Sequence, residues 1–167
     1  MKAKNIAFVT QAAMIAAIYV VLAYVFAPFS FGEIQVRIAE ALTILPLFTP
    51  AAIPGLFAGC LIGNILGGAI LPDIVCGSAA TLIGALFTYR LRERTPFLAP
   101  VPPILVNAIV VPFVLRFGYG VLLPIPLMML TVGIGEAISC GVLGLILYNA
   151  LYRYKNVVFL KSGTGEN

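Results

Sequence analysis

Histidine and tryptophan are absent from this chain, and charge is scarce: 10% of its 167 residues are Asp, Glu, Lys or Arg. Without histidine there is no His-based zinc site, no Ser-His triad and no imidazole proton shuttle. Soluble domains carry about 25% charged residues. A chain with 62% hydrophobic residues and a mean hydropathy of +1.10 would expose large aggregating patches in water. A bilayer is the simplest solvent for it. Cysteine is also sparse. Cys60, Cys76 and Cys140 form no CxxC pair and are odd in number, so they read as small buried hydrophobes rather than disulfide or metal ligands. The net charge of +4 has no continuous basic face of the kind nucleic-acid binding needs.

The charges that are present are ordered. Eight of the ten Lys and Arg residues fall in three clusters: Lys2 and Lys4; Arg90, Arg92 and Arg94; Arg153, Lys155 and Lys161. Cytoplasmic loops are enriched in Lys and Arg. Start, middle and end therefore read as inner, with an even number of crossings between them. Both termini are expected in the cytoplasm. The first apolar run, 6–27, is longer than the about 7–15 residues of a signal-peptide core and is expected as a retained helix.

The fold class predicted is an all-α membrane protein, a six-transmembrane-helix bundle with helices over 6–27, 36–48, 53–66, 73–89, 104–116 and 122–148. A span needs roughly 17–25 residues, fewer where it is short or tilted. Five helices would put Arg153 and Lys155 outside. Loop 28–35 and the turn at Gly67, Gly68 and Pro72 are expected on the outer side, and Thr49–Pro50 on the inner. Segment 95–103 reads as Pro-rich and interfacial. One domain over 1–160 and a polar tail over 161–167 follow. The apolar runs are continuous, whereas barrel strands alternate polar and apolar residues.

Two stripes of small residues point to close helix packing. Gly55, Gly59, Gly63 and Gly67 recur every four residues, and Ala12, Ala13, Ala16 and Ala17 make two overlapping small-xxx-small pairs. Packing within the bundle explains both. A docking strip for another membrane subunit is the alternative for the alanines.

Polar groups at membrane depth cost about 2.5–3.5 kcal/mol each when charged, and they face the bundle interior with a partner or a ligand. Arg37 and Glu40, three apart, share a face and can pair. Glu136 lies well inside the last helix with no basic residue nearby in sequence. Such a carboxylate is neutral, or meets a cation or N–H donors. Asn64 and Asn107 each offer donors and an acceptor, as interhelical bridges or ligand groups. Asp73 opens a helix, where a carboxylate can cap free N–H groups, and it shares a face with Gly77 and Thr81. Glu33 and Gln35 fall in the outer loop. Arg37, Glu40, Asn64, Asp73, Asn107 and Glu136 thus form the candidate ligand set. Carboxylates and amides together suit a planar, hydrogen-bond-rich guest such as a guanine edge. No nucleophile is paired with a base, so no catalytic residue is nominated and an enzyme is not expected. No metal motif is visible.

The run Ile34-Gln35-Val36-Arg37-Ile38-Ala39-Glu40-Ala41-Leu42, then Gly55-Leu56-Phe57-Ala58-Gly59-Cys60 and Asp73 through Thr81, resembles the QueT family of queuosine-precursor transporters. The resemblance covers about residues 5–155. It implies a substrate-binding (S) component of an energy-coupling factor transporter in the bacterial plasma membrane. Such a component captures a deazaguanine such as preQ1 from outside. The resemblance also implies a transmembrane coupling protein and two cytoplasmic ATPases as partners, with Ala12, Ala13, Ala16 and Ala17 as the docking strip. The positions it carries over are Arg37, Glu40 and Asp73. This chain has no GxxxxGK[ST] sequence, so ATP would be used by the partner subunits and no cofactor is expected here. Two other readings stand beside it: a self-sufficient carrier with Glu136 or Glu40 as its proton-coupled group, and a non-transporting membrane assembly factor.

Overall fold

The computed structural model describes residues 2–26 and 36–154, with side chains from Lys4 onward in the first helix. The expected outer loop 28–35 with Glu33 and Gln35, the side chain of Lys2, the basic residues Lys155 and Lys161, and the tail 161–167 lie outside the described residues.

Every described element is helical. In chain order they are α1 (Lys2–Val25), a 3-10 helix (Ile38–Leu47), α2 (Ala52–Leu66), α3 (Leu71–Arg90), a 3-10 turn (Pro96–Leu98), α4 (Val101–Phe117), α5 (Ile125–Glu136), a π-helix (Ala137–Leu143) and α6 (Gly144–Tyr152). The last three form one rod, Ile125–Tyr152. The six expected helical stretches are present. Four are long and apolar enough to cross a membrane: Lys4–Val25, Leu71–Arg90, Pro96–Phe117 and Ile125–Tyr152. The other two fall short of the about 30 Å of bilayer hydrocarbon. The 3-10 helix has 10 residues, about 20 Å at 2.0 Å per residue. Helix α2 has 15, about 22 Å at 1.5 Å per residue.

Segment 36–48 departs most from expectation. It is a 3-10 helix, with Glu40 N–H donating to Arg37 O and Phe48 N–H to Leu45 O, both at 2.9 Å. Pro46 inside it has no N–H to give. Residues Ala39 through Pro46 are all buried. Helices α1, α2, α3, α6 and the π-helix surround it. This segment is therefore a central strut rather than a lipid-facing span. At three residues per turn, side chains at i and i+3 eclipse. Arg37, Glu40 and Thr43 thus line up along one edge of the strut.

The glycine stripe is intramolecular packing. A Cβ built on Gly55 would lie 2.7 Å from Ala12 O, and one on Gly59 would lie 2.7 Å from Tyr19 Cβ and 3.1 Å from Ala16 Cα. On Gly63 it would lie 3.2 Å from Ala23 Cβ. Gly67, at the helix end, meets its own helix alone among the described residues. Gly59→Ala is therefore expected to push α1 off α2 and cost about 1–3 kcal/mol, visible as a lower melting temperature in detergent.

One end of the bundle collects the described members of the three basic clusters. Thr49 Oγ1 donates to Gln11 Oε1 at 3.0 Å, Phe48 packs on Tyr148 at 5.2 Å between ring centroids, and Thr88 Oγ1 donates to Ala99 O at 2.9 Å. These contacts draw the start of α1, the ends of α3 and α6, and the Pro96–Leu98 turn together. Exposed Lys4, Arg90, Arg92, Arg94 and Arg153 follow to that end. The opposite end is built of glycine turns, Gly68 (φ 73) and Gly120 (φ 70), and Arg116 Nη1 donates to Val121 O at 3.1 Å.

Candidate ligand site

The six nominated polar residues divide into two neighbouring groups. The first lines a cavity of about 280 Å³ at the glycine-turn end, walled by Leu22, Arg37, Asn64, Asp73, Val111 and Tyr119 among others. The strut presents Arg37, α2 presents Asn64, and the first turn of α3 presents Asp73. Arg37 Nη2 donates to Asn64 Oδ1 at 3.2 Å. Asn64 Nδ2 reaches Asp73 O at 3.5 Å. A guanidinium, an amide and a carboxylate thus share one wall, and the apolar side chains opposite suit a flat ring face.

Asp73 does not cap α3. The cap position is Ile70, with no side-chain cap bond, and Asp73 sits in the first turn. Its carboxylate instead accepts a hydrogen bond from Tyr119 OH at 2.9 Å, and Tyr119 OH accepts one from Ile70 N–H at 3.4 Å. Partial burial pushes the Tyr119 hydroxyl above its ordinary pKa, and the Asp73 carboxylate adds to the rise. Tyr119 therefore remains a neutral donor to Asp73 through the physiological range. Sequence reasoning passed over Tyr119. Its position beside a glycine in a turn between two spans was the available signal.

The second group lies deeper and does not line the cavity. Glu40, Asn107 and Glu136 are 0%, 2% and 1% exposed, so they sit in the core behind the cavity wall rather than on it. Asn107 Nδ2 donates to Glu136 Oε1 at 3.1 Å, and Cys140 Sγ donates to Glu136 Oε2 at 3.2 Å. Tyr19 OH donates to Glu40 Oε1 at 2.6 Å. Arg37 approaches the same oxygen at 3.9 Å, so the expected Arg37–Glu40 pair exists but Tyr19 is Glu40's nearer partner. Arg37 is the link between the groups, because one guanidinium nitrogen faces both Asn64 and Glu40. Tyr19 was missed in sequence. It lies three residues after Ala16 on the face that packs against the glycine stripe, a polar tip in an aliphatic run.

One of the three cysteines departs from expectation. Cys76 is exposed, while Cys60 and Cys140 are buried in the core as expected, Cys60 within the main apolar cluster. Thr81 Oγ1 lies 3.4 Å from Cys60 Sγ and donates to Gly77 O at 3.1 Å; Thr43 Oγ1 lies 3.3 Å from Cys140 Sγ and donates to Glu40 O at 2.6 Å.

The alanine strip does not form one surface. Ala12 and Ala16 are half-buried against α2, whereas Ala13 and Ala17 are exposed. Any docking face on α1 is therefore the side that Ala13 and Ala17 share.

Neither a curated protein nor a solved structure matches this chain. A family model described as QueT transporter matches residues 9–153. That match takes in most of α1, the strut with Arg37 and Glu40, the cavity wall and the rod bearing Glu136. A membrane bundle of apolar helices around a polar cavity suits a transport role, and the chain belongs to the QueT transporter family.

Proposed function

We propose that this chain is the S component of an energy-coupling factor importer and captures a queuosine precursor, preQ1 or a related deazaguanine, from outside the cell. The observation that carries the reading is the cavity with Arg37, Asn64 and Asp73 on one wall. A deazaguanine presents a carbonyl acceptor on one edge and N–H and amine donors on others. Arg37 donates to the acceptor, Asp73 accepts from a donor, and Asn64 serves either. A volume near 280 Å³ lies at the small end of ligand pockets, which run from about 300 Å³ upward, and suits a bicyclic base.

Orientation follows from charge. The basic end faces the cytoplasm, which turns the cavity outward. Partner docking uses α1. In its span 17% of the residues are buried, against 33% to 39% in the other three, and Ala13 and Ala17 offer flat area there without protruding side chains. The coupling protein rides on this face, and two cytoplasmic ATPases supply the energy.

The test is mass spectrometry of ligand retained by the purified chain, with co-purified subunits identified in the same sample. A retained deazaguanine together with coupling protein and ATPases is the expected result. Uptake into proteoliposomes of this chain alone, driven by a proton gradient, would overturn it in favour of a carrier. Ala13→Leu and Ala17→Leu are expected to deplete the coupling protein from the purified complex while ligand binding by the isolated chain stays at wild-type strength.

A further inference from the structure

We propose that Glu40, Glu136 and Cys140 form a binding site for a thiophilic divalent metal ion of the zinc class at the centre of the bundle. The three come from the strut, the end of α5 and the π-helix. All are fully buried, and their donor atoms lie within 4.8 Å of one another. Bonds of about 2.0 Å to oxygen and 2.3 Å to sulfur in a tetrahedral site put sulfur and oxygen about 3.5 Å apart. Cys140 Sγ and Glu136 Oε2 already stand 3.2 Å apart.

The surroundings of each side chain resemble those of a metal ligand. Metal-binding groups are held by a hydrogen bond on the atom that does not face the ion. Tyr19 occupies Glu40 Oε1 and Asn107 occupies Glu136 Oε1. Thr43 Oγ1 stands 3.3 Å from Cys140 Sγ, with its proton donated to Glu40 O at 2.6 Å. Both carboxylates thus have their own orienting residue, drawn from α1 and α4. The second oxygen of Glu40, Oε2, is buried and has no hydrogen-bond partner among the described residues, and neither has Ser139 Oγ on the same π-helical turn as Cys140. A buried carboxylate oxygen without a partner is costly. A cation satisfies it.

Charge closes in the same way. The nearby guanidinium, Arg37, pairs with Glu40 alone among the described residues. On binding, a metal–sulfur bond replaces the Cys140 S–H bond, the thiol proton leaves to solvent, and the carboxylates donate lone pairs. Two carboxylates and a thiolate then balance Arg37 and a divalent ion. No electron is transferred. Oxygen ligands alone would favour magnesium or calcium; the sulfur selects zinc or cadmium.

The experiment is a Cd2+ titration of the full-length chain in detergent, prepared without chelator. It follows the ultraviolet thiolate-to-metal charge-transfer band, with Zn2+ as competitor. A saturable band at one Cd2+ per chain, displaced by Zn2+, is expected. It should survive in a Cys60→Ser/Cys76→Ser chain and vanish on Cys140→Ser. Glu136→Gln in the wild-type background should weaken Cd2+ at least tenfold and keeps the test open if the cysteine variants fail to fold. No saturable band in the wild-type chain, a band that persists without Cys140, or unchanged Cd2+ affinity in Glu136→Gln would each overturn the site. The cluster would then be a hydrogen-bonded core. None of these readings requires the transported substrate, so the site and the proposed import stand or fall separately.

Discussion

Arg37→Met is expected to abolish capture of a deazaguanine and to destabilise the bundle at once. The guanidinium lies on the cavity wall, 3.2 Å from Asn64 Oδ1 and 3.9 Å from Glu40 Oε1. Its loss removes the cationic donor from the cavity. It also leaves the fully buried Glu40 carboxylate with the Tyr19 hydroxyl as its one side-chain partner on Oε1 among the described residues. Removing one partner of a buried ion pair costs about 3–5 kcal/mol, mostly through the charge left behind. The measurement is thermal unfolding in detergent alongside calorimetric ligand titration. The decisive comparison is the double variant Arg37→Met/Glu40→Gln, which removes both charges. It should recover most of the lost stability and none of the ligand binding. If single and double variants melt alike, the two residues are not coupled.

Asp73→Asn should act on binding alone. The substituted amide has nearly the same shape, and its oxygen can still accept from Tyr119, 2.9 Å from Asp73 Oδ2, so the fold should hold. What disappears is the negative charge on the cavity wall. Hydrogen bonds to charged groups contribute about 1.5–3 kcal/mol, and 1.4 kcal/mol is a factor of ten in affinity. A loss of about ten- to a hundredfold in deazaguanine affinity is therefore expected, with an unchanged melting temperature. Tyr119→Phe should show a smaller loss, because Tyr119 orients Asp73. Wild-type affinity in Asp73→Asn would remove this carboxylate from the site.

Helical type and lateral packing divide what was legible from what was not. The glycine stripe of α2 could be read directly, because a period of four places Gly55, Gly59 and Gly63 on one side of any α-helix. The stretch containing Arg37 and Glu40 could be located but not correctly shaped. In an α-helix, Thr43 would be rotated well away from Arg37; the 3-10 helix brings it into line. Likewise the alanine quartet of α1 was visible as composition. Only its packing on α2 assigns Ala12 and Ala16 inward and Ala13 and Ala17 outward.

Composition by itself determined the solvent and the class of this chain. So few charges, so little polar surface and clustered basic residues leave a membrane-embedded helical bundle as the arrangement in which every peptide group is satisfied. The same sparsity marked Arg37, Glu40, Asn64, Asp73, Asn107 and Glu136, since a polar group in hydrocarbon persists only with a partner. Beyond the Arg37–Glu40 pair that a spacing of three allowed, which partner each one has was decided by tertiary structure. Tyr19 meets Glu40 across 21 positions, Asn107 meets Glu136 across 29, and Thr43 meets Cys140 across 97. Periodicity carries information about one helix face at a time. The separation of an open cavity from a sealed polar core arises only when five or six such faces close on one another.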